Sequence, residues 1–468
     1  MDSKTRIENI KNDIKIEKRK GSPKRNKLIF FDDLPEVLDA YNISLSNLIY
    51  NQHNGRIMSS VKSDIASDVD KSKLDPETPE GKARIEKYLL DSNAERNRKT
   101  EIDILKSGQK EIGIITRDGI IIDGNRRAML LNKNNIPTFL CVVLAVDYDD
   151  KPELIQKLEA QYQMGEDEKL TYNANEKYFK AEELKKLGVS IKDIADAMNE
   201  ETRTINTYLR VKTIMDKYLM AFDYDGILVR LKDREEAFLN IDTWSRKYKK
   251  TGDEWDYDED DVSDLITVAF DYIRAIYQSN PYDMNWQEIR KYLAGGRDKD
   301  SHIFGSEKIW KTFRDKHFEG IQKFKDEEIP AKEMLNSINY AKSLESRDTE
   351  FAKNALPFMI ENFRDAVRSI NRQQHINKPS KLISNAVEDV KSALEHGNLT
   401  DQDYTELNDL IGNISINIRS LLEQLKQIHK LSDEIKLEEI VNTQENRDEL
   451  FVETDEIQKR IFDIKKAI

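Results

Sequence analysis

IIIDGNRRAMLLNKNNIPTFLCVVLAV, residues 120–146, reads as a small mixed unit rather than a helical one. An apolar β-rich run stops at Asp123 and Gly124, and NRRAMLLNKN has helical composition. Asn-Asn-Ile-Pro then turns the chain, and TFLCVVLAV is a second run with strand character. Upstream, the pattern predicts a helix from Ala94 into Leu105, a turn at KSGQ, a strand EIGIIT and a turn RDG before the quoted stretch. The fold class expected is therefore α+β.

Inside this unit two adjacent arginines follow a glycine turn at the start of a helix. The first N–H groups of a helix have no intrahelical acceptor, and the helix dipole is positive there. Arg126 and Arg127 oppose that dipole unless an anion sits above the turn, in which case backbone, dipole and guanidinium groups all attract it. Gly124, Asn125, Arg126 and Arg127 are thus candidate phosphate-binding residues. The plain alternative is a structural ion pair of one arginine with Asp123 or with Glu159.

The chain has 468 residues and a net charge of −13, with 35% charged and 8% aromatic residues, so several domains of largely helical character are expected. The acidic balance argues against indiscriminate attraction to nucleic acid but leaves room for a local basic surface. No apolar run is long enough to span a membrane and the first residues lack a signal-peptide core, so a cytoplasmic, nucleoid- or plasmid-associated protein without a membrane partner is expected. Cys141, the one cysteine, is expected to be a buried strand thiol, which leaves no disulfide and no redox cofactor. His53, His302, His317, His375, His396 and His429 lack zinc-site spacing, so no zinc is expected.

Outside the mixed unit the expected organisation is as follows. Residues 1–75 comprise a mobile basic arm ending in KRKGSPKRNK and an amphipathic helical stretch over 31–56, with a boundary in DPETPEGKAR at 75–84. The mixed domain occupies 76–150 and a helical domain 151–252. The acidic run at 253–261 reads as a linker to a helical C-terminal region, 262–468. There Leu407, Ile411, Ile414, Ile418, Leu421, Leu425 and Ile428 alternate by four and three, a coiled-coil seam. With a helix over Leu382–Glu395 ending at Gly397, and a cap at Thr400 and Asp403, this predicts a helical hairpin over about 380–430. Its stripe pairs within the chain, for instance with Leu450, Ile457, Ile461 and Ile464, or forms a homodimer or a protein-partner surface.

GVSIKDIADAMNEETRTINTYLRV, residues 188–211, satisfies a stricter pattern. Ala195 is small where two helices must touch, Asn199 falls where the turn needs positive φ, and Ile205 anchors the second helix. Ile191, Ile194, Met198 and Tyr208 complete the interior, and Ser190 caps the first helix ahead of Asp193. The second helix then presents Thr202, Arg203, Thr204, Asn206 and Thr207 as candidate DNA-reading residues. Helix-turn-helix geometry also serves protein contacts, and Leu184–Lys212 has six basic against four acidic residues.

Together, GQKEIGIITRDGIIIDGNRRAMLLNKNNIPTFLCVVL and the helix-turn-helix downstream resemble ParB-type partition proteins, whose N-terminal domain is related to sulfiredoxin. The resemblance covers about residues 94–215 in the family's own order. It places Gly108, Gln109 and the strand to Thr116 in the first nucleotide box and Gly124, Arg126 and Arg127 in the second. It implies a site for a nucleoside triphosphate, CTP favoured, with Mg2+, and a homodimer that closes on double-stranded DNA. The family's third box, Glu-Asn-x-x-Arg, falls at EAQYQMGE (159–166), which has no arginine. Glu159 and Gln163 are the residues there that would take the polar and metal-bridging role. Sulfiredoxin activity is excluded by the absence of its cysteine at the phosphate turn.

The readings left open are a ParB-like DNA-binding protein serving partition, regulation or a mobile element, a metal-dependent nuclease or NTPase, and a helical scaffold. In the enzyme reading Asp123 and Glu159, with Glu166 or Asp167, hold a metal.

Overall fold

The computed structural model describes residues 1–396 except 22–24, 33, 68–73, 165–174, 250–254, 279–283, 297 and 336–338. Side chains are described as far as 374, and beyond 396 only Glu423 and Gln427 are described. Met1–Ile376 forms one compact unit and Asn377–Ile468 a second.

Helix α1 (Ser3–Lys20) leads into strands β1 (Asn26–Phe31), β2 (Leu34–Ser44) and β3 (Ile49–Tyr50). Then come helices α2 (Met58–Ala66), α3 (Pro79–Ser92) and α4 (Ala94–Ser107). The mixed unit follows as β4 (Gly113–Ile115), β5 (Ile120–Asp123), α5 (Asn125–Lys133) and β6 (Thr138–Val143), the elements expected from the quoted stretch. Six strands form one mixed sheet in the order β1-β2-β6-β4-β5-β3. β2 runs antiparallel to β6 with Tyr41 opposite Cys141, while β4 runs parallel to β6. One face packs Ile43, Ile115, Ile121, Phe139 and Cys141 toward the helices of the first 133 residues. The other packs Ile29, Ile114, Ile122 and Val142 toward Ile155 and Leu158. Cys141 is fully buried in the apolar strand, and burial pushes its thiol far up.

The N-terminal expectations need correction. Residues 3–20 are no mobile arm: Asp2 caps α1 by accepting from the Thr5 N–H at 3.0 Å, and Gly21 ends it in the left-handed region. Buried Ile10 and Arg6 hold it down, Arg6 donating from Nε to the Asp118 carbonyl at 2.5 Å and pairing with Glu77 at 3.1 Å. The stretch expected to be helical over 31–56 is instead the end of β1, all of β2 and β3, because Leu28 pairs with Val37 and β2 finds β6 far along the chain. Strand pairing of this kind is decided by remote partners rather than by local periodicity. DPETPEGKAR starts α3, with Thr78 accepting from the Gly81 N–H at 3.1 Å and Pro79 in the first turn.

From residue 152 the described chain is helical: α6 (Pro152–Met164), α7 (Glu176–Lys186), α8 (Ile191–Met198), α9 (Thr202–Ala221) and α10 (Glu235–Lys247). α11 (Glu259–Ile276), α12 (Trp286–Leu293), α13 (Glu307–Asp326), α14 (Ala331–Leu335) and α15 (Tyr340–His396) follow. One apolar core runs through α7 to α13 and the start of α15. The acidic run expected as a linker is in part the beginning of α11, where Asp258 and Asp261 make a reciprocal capping box. The helix expected over Leu382–Glu395 lies within α15. The seam from Leu407 to Ile428, its cap and the stripe from Leu450 lie outside the described residues. Among the described residues no helix is long and apolar enough to cross a membrane.

Candidate functional site

β5 delivers Asp123 to the sheet edge and Gly124 turns the chain at φ 103°, in the left-handed region. A Cβ there would lie 2.6 Å from the Phe139 ring, so both backbone and packing demand glycine. Asn125 fixes the start of α5: its Nδ2 donates to the Ile121 carbonyl at 2.9 Å, and its Oδ1 accepts from the Asn51 N–H at 2.9 Å. Asn125 is therefore a buried brace for the turn, which leaves the turn's backbone and arginines to meet a ligand.

Arg126 is buried and Arg127 half-buried, and both line a cavity of about 550 Å3 above the turn. Lys27, Arg56, Arg96, Lys99, Lys110, Arg126 and Arg127 face Asp103, Glu111 and Asp123 around it, seven cations to three carboxylates. Arg127 does make the structural ion pair considered above, from Nη2 to Asp123 at 2.8 Å, and Lys27 joins the same carboxylate at 3.3 Å. Burial raises the Asp123 carboxyl, yet the charges of Arg127, Lys27 and Arg56 outweigh it and hold the group below the ordinary carboxylate range. Lys110 pairs with Asp103 at 2.8 Å and Lys99 with Glu95 at 2.7 Å, so several of these cations already have an acid beside them. A neighbouring cavity of about 850 Å3, with Tyr41, Leu131, Ile136 and Leu140 in its wall, shares Gly108 and Gln109 with the first.

No protein-family model matches this chain, and no curated protein matches it. Its chemistry is read from the geometry.

The remaining residues expected at the nucleotide are placed elsewhere or otherwise used. Gln109 lines both cavities, but its amide is spent bridging the edge of β6: Nε2 donates to the Leu140 carbonyl at 2.7 Å and Oε1 accepts from the Leu140 N–H at 2.8 Å. Thr116 is buried in the turn between β4 and β5, its hydroxyl accepting from the Ile120 N–H at 2.9 Å, and does not line the cavity. Glu159 and Gln163 do not line it either. Glu159 is buried against Lys180 Nζ at 2.7 Å, and Gln163 donates to its other oxygen at 2.7 Å. Burial pushes the Glu159 carboxyl up while Lys180 pulls against it. Asp123 and Glu159 stand in separate ion pairs, and among the described residues no group of three or more His, Cys, Asp or Glu is placed to hold a metal. Glu166 and Asp167 lie outside the described residues.

The sequence reading missed Lys27, Arg56, Arg96, Lys99 and Lys110, which reach the cavity from four different segments. The run ERNRKT at 95–100 was the local signal for two of them.

The second candidate surface is the helix-turn-helix. α8 and α9 are joined through Asn199 at φ 51°, ψ 50°, and Ala195, Ile205, Ile194 and Met198 are buried between them. Ser190 caps α8 by accepting from the Asp193 N–H at 3.1 Å. Thr202, Arg203 and Asn206 are exposed and Thr204 and Thr207 half-exposed along the start of α9. Asn206 donates to the Thr202 carbonyl at 3.0 Å and Thr207 to that of Arg203 at 3.1 Å. Arg203 is 85% exposed and pairs with the exposed Glu201 at 2.6 Å. An open cleft of about 1030 Å3 runs beside this helix, with Arg203, Thr204, Asn206 and Thr207 on one wall. Lys177 of α7 and Arg246 of α10 also border it, and neither was anticipated.

Proposed function

We propose that this chain is a DNA-binding protein with a nucleotide site, as the ParB resemblance implies. Gly124, Arg126 and Arg127 hold the phosphates, with Asn125 bracing the turn beneath them, and the start of α9 reads duplex DNA. The observation that carries the proposal is the convergence of seven cationic side chains from separate segments on a half-enclosed cavity at a helix N-terminus. Cations oppose the dipole there, and a bound polyanion turns that repulsion into attraction. The adjoining cavity, with aromatic and aliphatic walls beyond Gly108 and Gln109, gives a nucleoside room that a bare phosphate would not need. Asp123 and Glu159 are committed to lysine and arginine, so they do not suit Mg2+. Any such ion belongs with the phosphate oxygens, and the residues named here act by binding and orienting.

The test is calorimetry with CTP, ATP, GTP and UTP in the presence of Mg2+, with and without duplex fragments from the protein's genomic neighbourhood. Saturable binding of at least one nucleotide that Arg126→Ala abolishes is the expected result. Absence of binding to every nucleotide, with and without DNA, overturns the nucleotide half of the proposal.

A further inference from the structure

We infer that Asp242 on α10 organises Arg210 and Arg246 into a grip for one nucleic-acid phosphate strand, a binding site separate from the start of α9. The inference rests on the DNA-binding reading of the helix-turn-helix. Asp242 is buried, its side chain only 4% exposed, and it accepts from two guanidinium groups at once. Arg210 donates from Nε to Oδ1 at 2.8 Å and from Nη2 to Oδ2 at 3.2 Å, and Arg246 donates from Nε to Oδ2 at 3.1 Å. Thr207 steadies Arg210 further by accepting from Nη2 at 3.0 Å. Both arginines keep about half of their side chains open, at 42% and 57%, and both line the cleft beside α9.

One carboxylate shared by two guanidiniums leaves a net positive charge, and two like charges held side by side favour a second anion between them. Among the described residues the terminal nitrogens of Arg246 make no hydrogen bond, so its fork remains available for the bidentate geometry that phosphate accepts. Fixing the side chains in advance removes part of the entropy that surface arginines lose on binding. The spacing suits a duplex. Arg203 and Arg210 stand seven residues apart, about 10 Å along the helix, close to the roughly 12 Å width of the major groove. With Arg203 at the base edges or one strand, Arg210 and Arg246 meet the strand on the other side.

The experiment is fluorescence anisotropy with a labelled random-sequence duplex of about 30 bp, titrated between 50 and 200 mM KCl. A phosphate contact contributes about 0.9 to the slope of log K against log salt. Arg210→Gln and Arg246→Gln should each reduce the slope by about that amount, so the affinity lost across the range shrinks about threefold. Arg246→Lys should keep the slope, and Asp242→Asn should weaken binding while leaving the slope intact, since it removes orientation and not cationic charge. Arg203→Gln serves as the reference. If it lowers the slope while Arg210→Gln and Arg246→Gln match the wild type, the grip is overturned and the DNA reading stands. If the wild-type protein leaves the duplex free even at 50 mM KCl, both fall.

Discussion

The two basic sites of this acidic chain differ in how far they are enclosed. Around Gly124 seven cations meet three carboxylates inside a recess, and Arg126 is buried there. Along the cleft beside α9 each cation has an acid at hand: Glu201 for Arg203, Asp242 for Arg210 and Arg246, and Glu235 for Lys177. A recess lined by more cations than carboxylates attracts an anion with little screening by salt. An open cleft is reached fully by salt, so its ion pairs exchange partners readily as salt changes. The difference suits one site to hold a small ligand and the other to run along a polymer.

The largest expected effect tests the first side of this contrast. Arg126→Ala should weaken nucleotide binding by about 3 kcal/mol, more than a hundredfold, because it removes a buried charge-assisted contact. Calorimetry checks this, and a loss under tenfold would mean the recess does not work through Arg126.

Next in size is a pH effect at another buried charge. Burial pushes Glu176 up from its ordinary value to about 7, although its Oε1 accepts from the Ser59 hydroxyl at 2.5 Å and caps α2. A carboxyl with a raised folded pKa binds its proton more tightly folded than unfolded. Stability should therefore fall as pH rises from about 4.5 to 7, by up to about 3 kcal/mol. Glu176→Gln should flatten that slope and melt higher at pH 7.5, as thermal unfolding across pH would show. An unchanged slope would assign the pH dependence to other groups.

On the cleft side, Arg203→Ala should cost about 1–3 kcal/mol on a specific DNA site and much less on competitor DNA, measured by competition binding. A uniform loss on all sequences would demote it from a base reader to a phosphate contact. The smallest effect belongs to the helix-turn-helix frame: Ser190→Ala should lower stability by about 1 kcal/mol through the lost cap, leaving nucleotide affinity untouched.

What could be read from the sequence was what neighbouring residues decide. Ala195, Asn199 and Ile205 sit within one supersecondary turn, so spacing alone identified the helix-turn-helix, and Asn199 takes its left-handed conformation. The strand-turn-helix at Gly124 was legible for the same reason. The β1–β2 hairpin was not, since Tyr41 finds its partner at Cys141, and Arg6 and Ile10 reveal α1 as packed only once Asp118 and Glu77 are beside it. The site divides similarly. Arg126 and Arg127 stand together in the sequence, whereas Lys27, Arg56 and Arg96 converge only in three dimensions. Gln109 and Thr116 show the converse, residues placed in a box by resemblance whose polar groups serve the sheet.

Gly124 carries a consequence for how tolerance of change at this turn should be interpreted. With φ at 103° and the Phe139 ring 2.6 Å from any added Cβ, no other amino acid fits without rebuilding the strand end. In a library of all single replacements the position would therefore admit one letter in any host, whether or not a ligand is present. Arg126 is the informative neighbour: cells that need the ligand would reject its replacements, and cells that do not would let them drift.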